Sequence, residues 1–131
     1  MLLIEHALVV TMDGARRVYA DGSVVIDGTR IAQVGRAADV RPPRPPDRVF
    51  GGRGRLVIPG FVDTHAHLSE HLSRGLIPES VPVDRYVRDW YTPLYATISP
   101  EEEAAAAELA CLEMLRTGTT TFCEAGTLFD V

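Results

Sequence analysis

Short apolar runs separated by turn signals dominate the first third of the chain. "LLIEHALVVTM" (residues 2–12) is rich in β-formers and predicts a strand. "DGARRVYADG" carries an Asp-Gly at each end, as a turn or short hairpin would. "SVVIDGTRIAQVG" holds two apolar runs around Asp27-Gly28, and Asp-Gly tolerates the positive φ of a tight hairpin turn. Residues 1–36 therefore read as a small antiparallel β-unit. "RPPRPPDRVFGGRGR" (41–55) has no periodicity and reads as a linker or surface loop. "LVIPGFVDTHAH" is then apolar at nearly every early position, the pattern of a parallel strand buried on both faces.

The period changes from two to helical beyond residue 80. Val83, Tyr86, Val87, Trp90, Tyr91 and Leu94 recur on one helical face, with Pro93 expected to kink or divide the helix and Trp90 expected in the core. A second helix is predicted over 100–117. Ser99 is its N-cap, Pro100 its first residue, and Glu102 completes a capping box. Three glutamates at 101–103 suit the positive end of the dipole, and Gly118 is placed to end the helix left-handed. "TTTFCEAG" follows as a β-rich run. Strand, helical crossover and second strand make a βαβ unit with a parallel pair. One such unit does not complete a sheet, so the pattern predicts the front end of a larger α/β protein.

Composition narrows the function classes. The chain has 131 residues, 46% apolar and 24% charged, and a net charge of −5. All 13 basic residues are arginine, and they form no basic stripe, which argues against nucleic-acid binding. No apolar run approaches the roughly 18 residues of a membrane helix. The N-terminus lacks the charged start and cleavage site of a signal peptide. Two isolated cysteines, Cys111 and Cys123, do not form a disulfide framework; they are expected as buried small hydrophobes in a cytoplasmic protein.

Three of the four histidines, His65, His67 and His71, fall within seven residues after the apolar strand. In an extended chain residues i and i+2 point to the same side, so His65 and His67 can reach one ion. Imidazole suits zinc, iron and nickel. Asp63, two residues earlier, could lie on that side as a partner to a ligand. The alternative is a chance His-X-His in a polar turn. Two ligands do not complete a catalytic zinc site, which takes three protein ligands and a water. His71 is a third ligand, a substrate-facing group or a solvated side chain; Glu70 is a pocket residue or a solvated glutamate. Glu124, at the end of the second core strand, faces the same mouth and would touch substrate or support a ligand. His6, alone in the first strand, reads as structural.

"VIPGFVDTHAH" closely resembles the P-G-(L/F)-(V/I)-(D/N)-x-H-x-H signature of the metal-dependent amidohydrolase superfamily. "VVIDGTRIAQVG" is similar to the hairpin that precedes it, while "LSRGL" and "EMLRTGTTTFCE" resemble the chlorohydrolase and aminohydrolase branch. That branch includes triazine hydrolases and S-adenosylhomocysteine, guanine and cytosine deaminases. The resemblance implies a (β/α)8 barrel flanked by a small β-sandwich. Residues 1–57 would be the first share of the sandwich and 58–131 the start of the barrel, with strands over 57–67 and 119–124. His65 and His67 would be the first two ligands of a divalent metal, zinc ahead of iron, with Asp63 supporting one of them. Glu70, His71 and Glu124 would face a small-molecule substrate.

The remaining ligands and the proton-handling groups belong, in that family, to strands five, six and eight. A barrel needs about 250 residues, so the chain reads as an N-terminal piece, inactive alone and prone to association, of a protein expected to be a homo-oligomer. The implied reaction is hydrolysis of a carbon–nitrogen bond outside peptides: deamination, or dechlorination, of a nitrogen heterocycle by metal-activated water. Two competing readings are a non-catalytic fragment or degenerate amidohydrolase, and a binuclear ring-opening enzyme of the dihydroorotase or hydantoinase kind.

Overall fold

Strand alternation is visible at once in the first strand, where Ala7 and Val9 are buried and Leu8 between them is exposed. In a computed structural model, which describes residues 1–126, the chain divides into two units, Met1–Pro59 and Gly60–Val131. The first unit is one mixed sheet. β1 (Leu2–Val10) pairs antiparallel with β2 (Val18–Asp27), and β2 pairs antiparallel with β3 (Arg30–Arg36). The other edge of β1 is shared by β4 (Arg48–Gly51) and β5 (Leu56–Val57), both parallel to it. Gly28 turns between β2 and β3 at φ 59, the left-handed conformation anticipated for Asp27-Gly28. Ala7, Val9 and Val24 form the core, flanked by Ile4, Tyr19, Ile26, Val34 and Val57.

Two sequence expectations fail in this unit. The second Asp-Gly pair, Asp21-Gly22, is not a turn but lies inside β2 opposite Ala7. Here glycine serves close approach, since a Cβ at Gly22 would come within 2.7 Å of Val9 Cγ2. The register of β1 is irregular at this point, and His6 adopts φ 57 with its Nδ1 2.8 Å from Asp21 Oδ1. The segment 41–55, expected as a linker, contains β4. That strand is only four residues long and exposed throughout, so backbone pairing holds it and no apolar pattern announces it.

In the second unit β6 (Phe61–Ala66) and β7 (Thr119–Glu124) run parallel, joined by the predicted crossover. The strand expected over 57–67 is in fact two: Val57 pairs within the first sheet, and β6 begins only after 58–60. Gly60 fits because nothing larger would; a Cβ there would lie 2.1 Å from Thr120 Oγ1. β6 was expected to be buried on both faces, yet Phe61 is 56% and Val62 64% exposed. The reason is coverage: among the described residues the packed core of this unit (Ala66, Leu68 and Ala110, with Ala107, Cys111 and Met114) lies at the far end of the strand.

After β6 a 3₁₀ segment, Leu68–Ser73, leads to a helical stretch. This stretch comprises α1 (Val83–Arg85), a π-turn over Tyr86–Tyr91, and α2 (Thr92–Tyr95). Pro93 therefore does not divide the helix. It has no N–H to donate and would crowd the carbonyl four residues back, and the wider π-turn ahead of it, closed by Thr92 N–H to Val87 O, relieves that crowding. Trp90 is 43% exposed rather than core, and Tyr95 takes the buried position, its hydroxyl donating to the Ser69 carbonyl at 3.1 Å. α3 (Pro100–Thr117) has the anticipated capping box at Ser99 and Glu102 and ends at Gly118 with φ 94. Fully buried Glu103 stands in its first turn, where the dipole favours a carboxylate. The cysteines depart from expectation: Cys111 is half-buried against the core and Cys123 is exposed. No helix among the described residues is long and apolar enough to cross a membrane.

Replacing Ser99 by alanine removes the acceptor of the Glu102 backbone N–H and should cost about 1 kcal/mol in chemical denaturation. Ser99→Asp should retain most of that stability, and equal losses in both variants would refute the capping account.

Candidate metal centre

β6 ends at Ala66, so His65 is its penultimate residue and His67 the first residue beyond it. The extended backbone puts both rings on one side. Their Nε2 atoms stand 3.2 Å apart, with ring centroids at 5.0 Å and planes crossing at 78°. Two nitrogens about 2.0–2.1 Å from a zinc ion in tetrahedral geometry are roughly 3.3 Å from each other. The two Nε2 atoms are thus within hydrogen-bond distance of each other, a spacing that two ligands of one ion would share. Among the described residues no third histidine, cysteine or carboxylate joins them to make a cage.

The neighbouring carboxylates act on the backbone. Asp63 Oδ1 accepts the His65 N–H at 3.1 Å, which steadies the main chain under that ring. Glu124, opposite Ala66 at the end of β7, accepts the Leu68 N–H on Oε2 at 2.8 Å and the Gly126 N–H on Oε1 at 3.0 Å. Its Oε1 also lies 3.8 Å from His67 Nδ1. That Nδ1 is buried and makes no hydrogen bond among the described residues.

His67 also lines an open cleft of about 380 Å³ with Glu70, His71, Arg74 and Tyr86. His71 does not turn toward the histidine pair as a ligand; its Nε2 lies 3.6 Å from Glu113 Oε2 on α3. Arg74 grips the same carboxylate in a two-pronged bridge, at 3.0 and 2.7 Å. Hydrogen bonding from Arg74 holds the Glu113 carboxyl below its ordinary value. Tyr86, Tyr91 and Tyr95 stack in sequence, with centroids 6.2 and 4.3 Å apart. Burial, with the Glu70 charge adding to it, pushes the phenols of Tyr86 and Tyr91 up. Sequence reasoning gave no role to Glu113 or Arg74, and placed Tyr86 only on the apolar face of a helix. Arg74 and Glu113 stand in motifs that drew attention, "LSRGL" and "EMLRTG", but they are 39 positions apart, so no local pattern pairs them.

The model of the Amidohydrolase family matches residues 56–129, more than half of the chain. The chain belongs to the amidohydrolase family. Among curated relatives, a 5'-deoxyadenosine deaminase of Methanothermobacter thermautotrophicus is 40% identical over 121 residues, 92% of this chain and 26% of the relative. A 5-methylthioadenosine/S-adenosylhomocysteine deaminase of Pelotomaculum thermopropionicum is 35% identical over 94% of this chain and 28% of its own length. Among solved structures, a zinc-bound adenosine deaminase from Xanthomonas campestris superposes with TM-score 0.86 at 32% identity, covering 97% of this chain and 29% of that one. Atrazine chlorohydrolase from Arthrobacter aurescens TC1, complexed with zinc, gives TM-score 0.81 at 30% identity, over 95% of this chain and 28% of that one. This amidohydrolase chain thus spans little more than a quarter of the length of the relatives it matches.

The Arg74–Glu113 bridge predicts an acid-dependent difference in stability. Because the Glu113 carboxyl titrates below its unfolded value of 4.5, the bridge contributes fully above that pH and is lost as pH falls through the lowered folded value. In urea denaturation across pH, the gap between wild type and Arg74→Met should be constant near neutrality and close in acid; a gap independent of pH would refute it.

Proposed function

We propose that the intact protein is a metal-dependent hydrolase of carbon–nitrogen bonds outside peptides, acting on a nitrogen heterocycle by deamination or dechlorination. The observation that carries this reading is the convergence of His65 Nε2 and His67 Nε2, 3.2 Å apart, at the end of β6. The chemistry of the relatives supports it, since they are named as deaminases and a chlorohydrolase and the two solved structures hold zinc. His65 and His67 would hold the ion, zinc ahead of iron. When bound there, the ion supplies Lewis acidity that makes water acidic enough to serve as nucleophile near neutral pH.

The chain's own residues then divide the remaining work. Asp63 keeps the His65 main chain in place. Buried Ala66 and Leu68 pack against Ala110 of α3 and so anchor the chain on either side of His67. Glu70 and His71 offer hydrogen-bonding groups to the polar edge of a substrate in the cleft, and Tyr86 offers it an aromatic wall. A catalytic zinc takes three protein ligands, so at least one more ligand lies outside the described residues. We assign it, with the proton-handling groups, to later strands of a (β/α)8 barrel of which β6 and β7 are the first two. The first unit would be the matching share of a flanking β-sandwich.

Metal analysis of the full-length protein beside a His65→Ala/His67→Ala variant tests the assignment. The wild type should carry about one metal ion per chain, and the variant close to none, with loss of ammonia release from 5'-deoxyadenosine-type substrates. Unchanged metal content in a folded double variant would sink it.

A further inference from the structure

A histidine that binds metal through Nε2 must carry its proton on Nδ1, and something must accept that proton. Asp63 directs its Oδ1 to the His65 backbone N–H at 3.1 Å, and among the described residues the carboxylate paired with the His67 ring is that of Glu124. The ring's Nδ1 is buried and has no hydrogen bond among the described residues, while Glu124 Oε1 lies 3.8 Å from it. We propose that Glu124 is the positioning residue of His67, its Oε1 accepting the Nδ1 proton when metal is bound and so fixing the tautomer that leaves Nε2 free. This inference rests on the reading of His65 and His67 as metal ligands.

Three features support the assignment. Glu124 is fixed from two sides, because Oε2 takes the Leu68 N–H at 2.8 Å and Oε1 the Gly126 N–H at 3.0 Å. The first of these bonds ties Glu124 to the residue directly after His67, so the carboxylate and the ring belong to one small rigid assembly. The site is also partly dry, with Glu124's side chain 20% and His67's 33% exposed, which strengthens a charge-assisted bond. Ligating histidines almost always donate their other ring N–H to a carboxylate, a carbonyl or water, and loss of such a partner typically costs 10–100-fold in metal affinity.

Hydrogen-bond bookkeeping makes Glu124→Gln the informative variant. Both carboxylate oxygens accept from backbone N–H groups, whereas an amide has one oxygen and one NH2. If the amide NH2 faces Leu68, that N–H loses its acceptor. If the NH2 faces Gly126 and His67, it donates to Nδ1 and moves the ring proton to Nε2, where it blocks the metal.

The experiment measures zinc affinity by competition with a chromophoric chelator in full-length wild type, Glu124→Gln, Glu124→Asp and His67→Ala. The tautomer of His67 is read alongside from ¹⁵N shifts of the zinc-loaded wild-type protein. Expected are a 10–100-fold weaker affinity in Glu124→Gln, a smaller loss in Glu124→Asp, and an Nδ1–H tautomer in the wild type. Affinity within twofold of wild type in a folded Glu124→Gln, or an Nε2–H tautomer in the wild type, overturns the proposal. Should Glu124→Gln not fold, the tautomer and the Glu124→Asp affinity decide. If His67→Ala binds zinc as wild type does, the metal-site reading itself fails, an outcome separate from failure at Glu124 alone.

Discussion

Everything chemical in this chain depends on one backbone constraint: β6 must stay extended through Ala66 and the chain must turn immediately afterwards. Extension puts His65 and His67 on the same side, and the turn stops the second ring from following the strand away. The parallel partner enforces both. Ala125 donates its N–H to the Ala66 carbonyl at 2.8 Å, and Glu124 captures the Leu68 N–H as the chain leaves the sheet. Without β7 the end of β6 would have unpaired backbone groups and no reason to hold two imidazoles at ligand spacing.

The crossover that delivers β7 is built for close approach. Ala106 and Ala110 are fully buried on α3, and the small side chain at 110 meets Ala66 and Leu68. Small residues let the helix approach the strand end, and the Gly118 cap returns the chain directly into β7. The Gly118 carbonyl then accepts the Phe61 N–H at 2.8 Å, which sets where the two strands begin to pair. From α3, Glu113 reaches back to Arg74 and His71, so the helix that orders the strands also holds one wall of the cleft.

Local signals in the sequence were reliable where a single residue type has one physical reason to be in place. Ser99, Pro100, Glu102 and Gly118 marked both ends of α3 because capping chemistry acts within four residues. Apolar patterning was less reliable. It reports what a surface requires, and it placed Phe61, Val62 and Trp90 in a core that the described residues do not supply. Glycine was ambiguous for a related reason. Gly28 serves a positive φ, whereas Gly22 and Gly60 make room for Val9 and Thr120, and composition does not distinguish the two uses.

The sequence by itself determined that His65 and His67 share a side of an extended segment, that a capped helix follows, and that a second strand returns parallel to the first. These follow from backbone geometry over a few residues. Only the tertiary structure decided which groups support the pair. It assigned Asp63 to the main chain, brought Glu124 across 56 positions to the residue after His67, and joined Arg74 to Glu113 across 39. Those partnerships arise where two parallel strands and a packed helix end together, and only the folded chain specifies that meeting point.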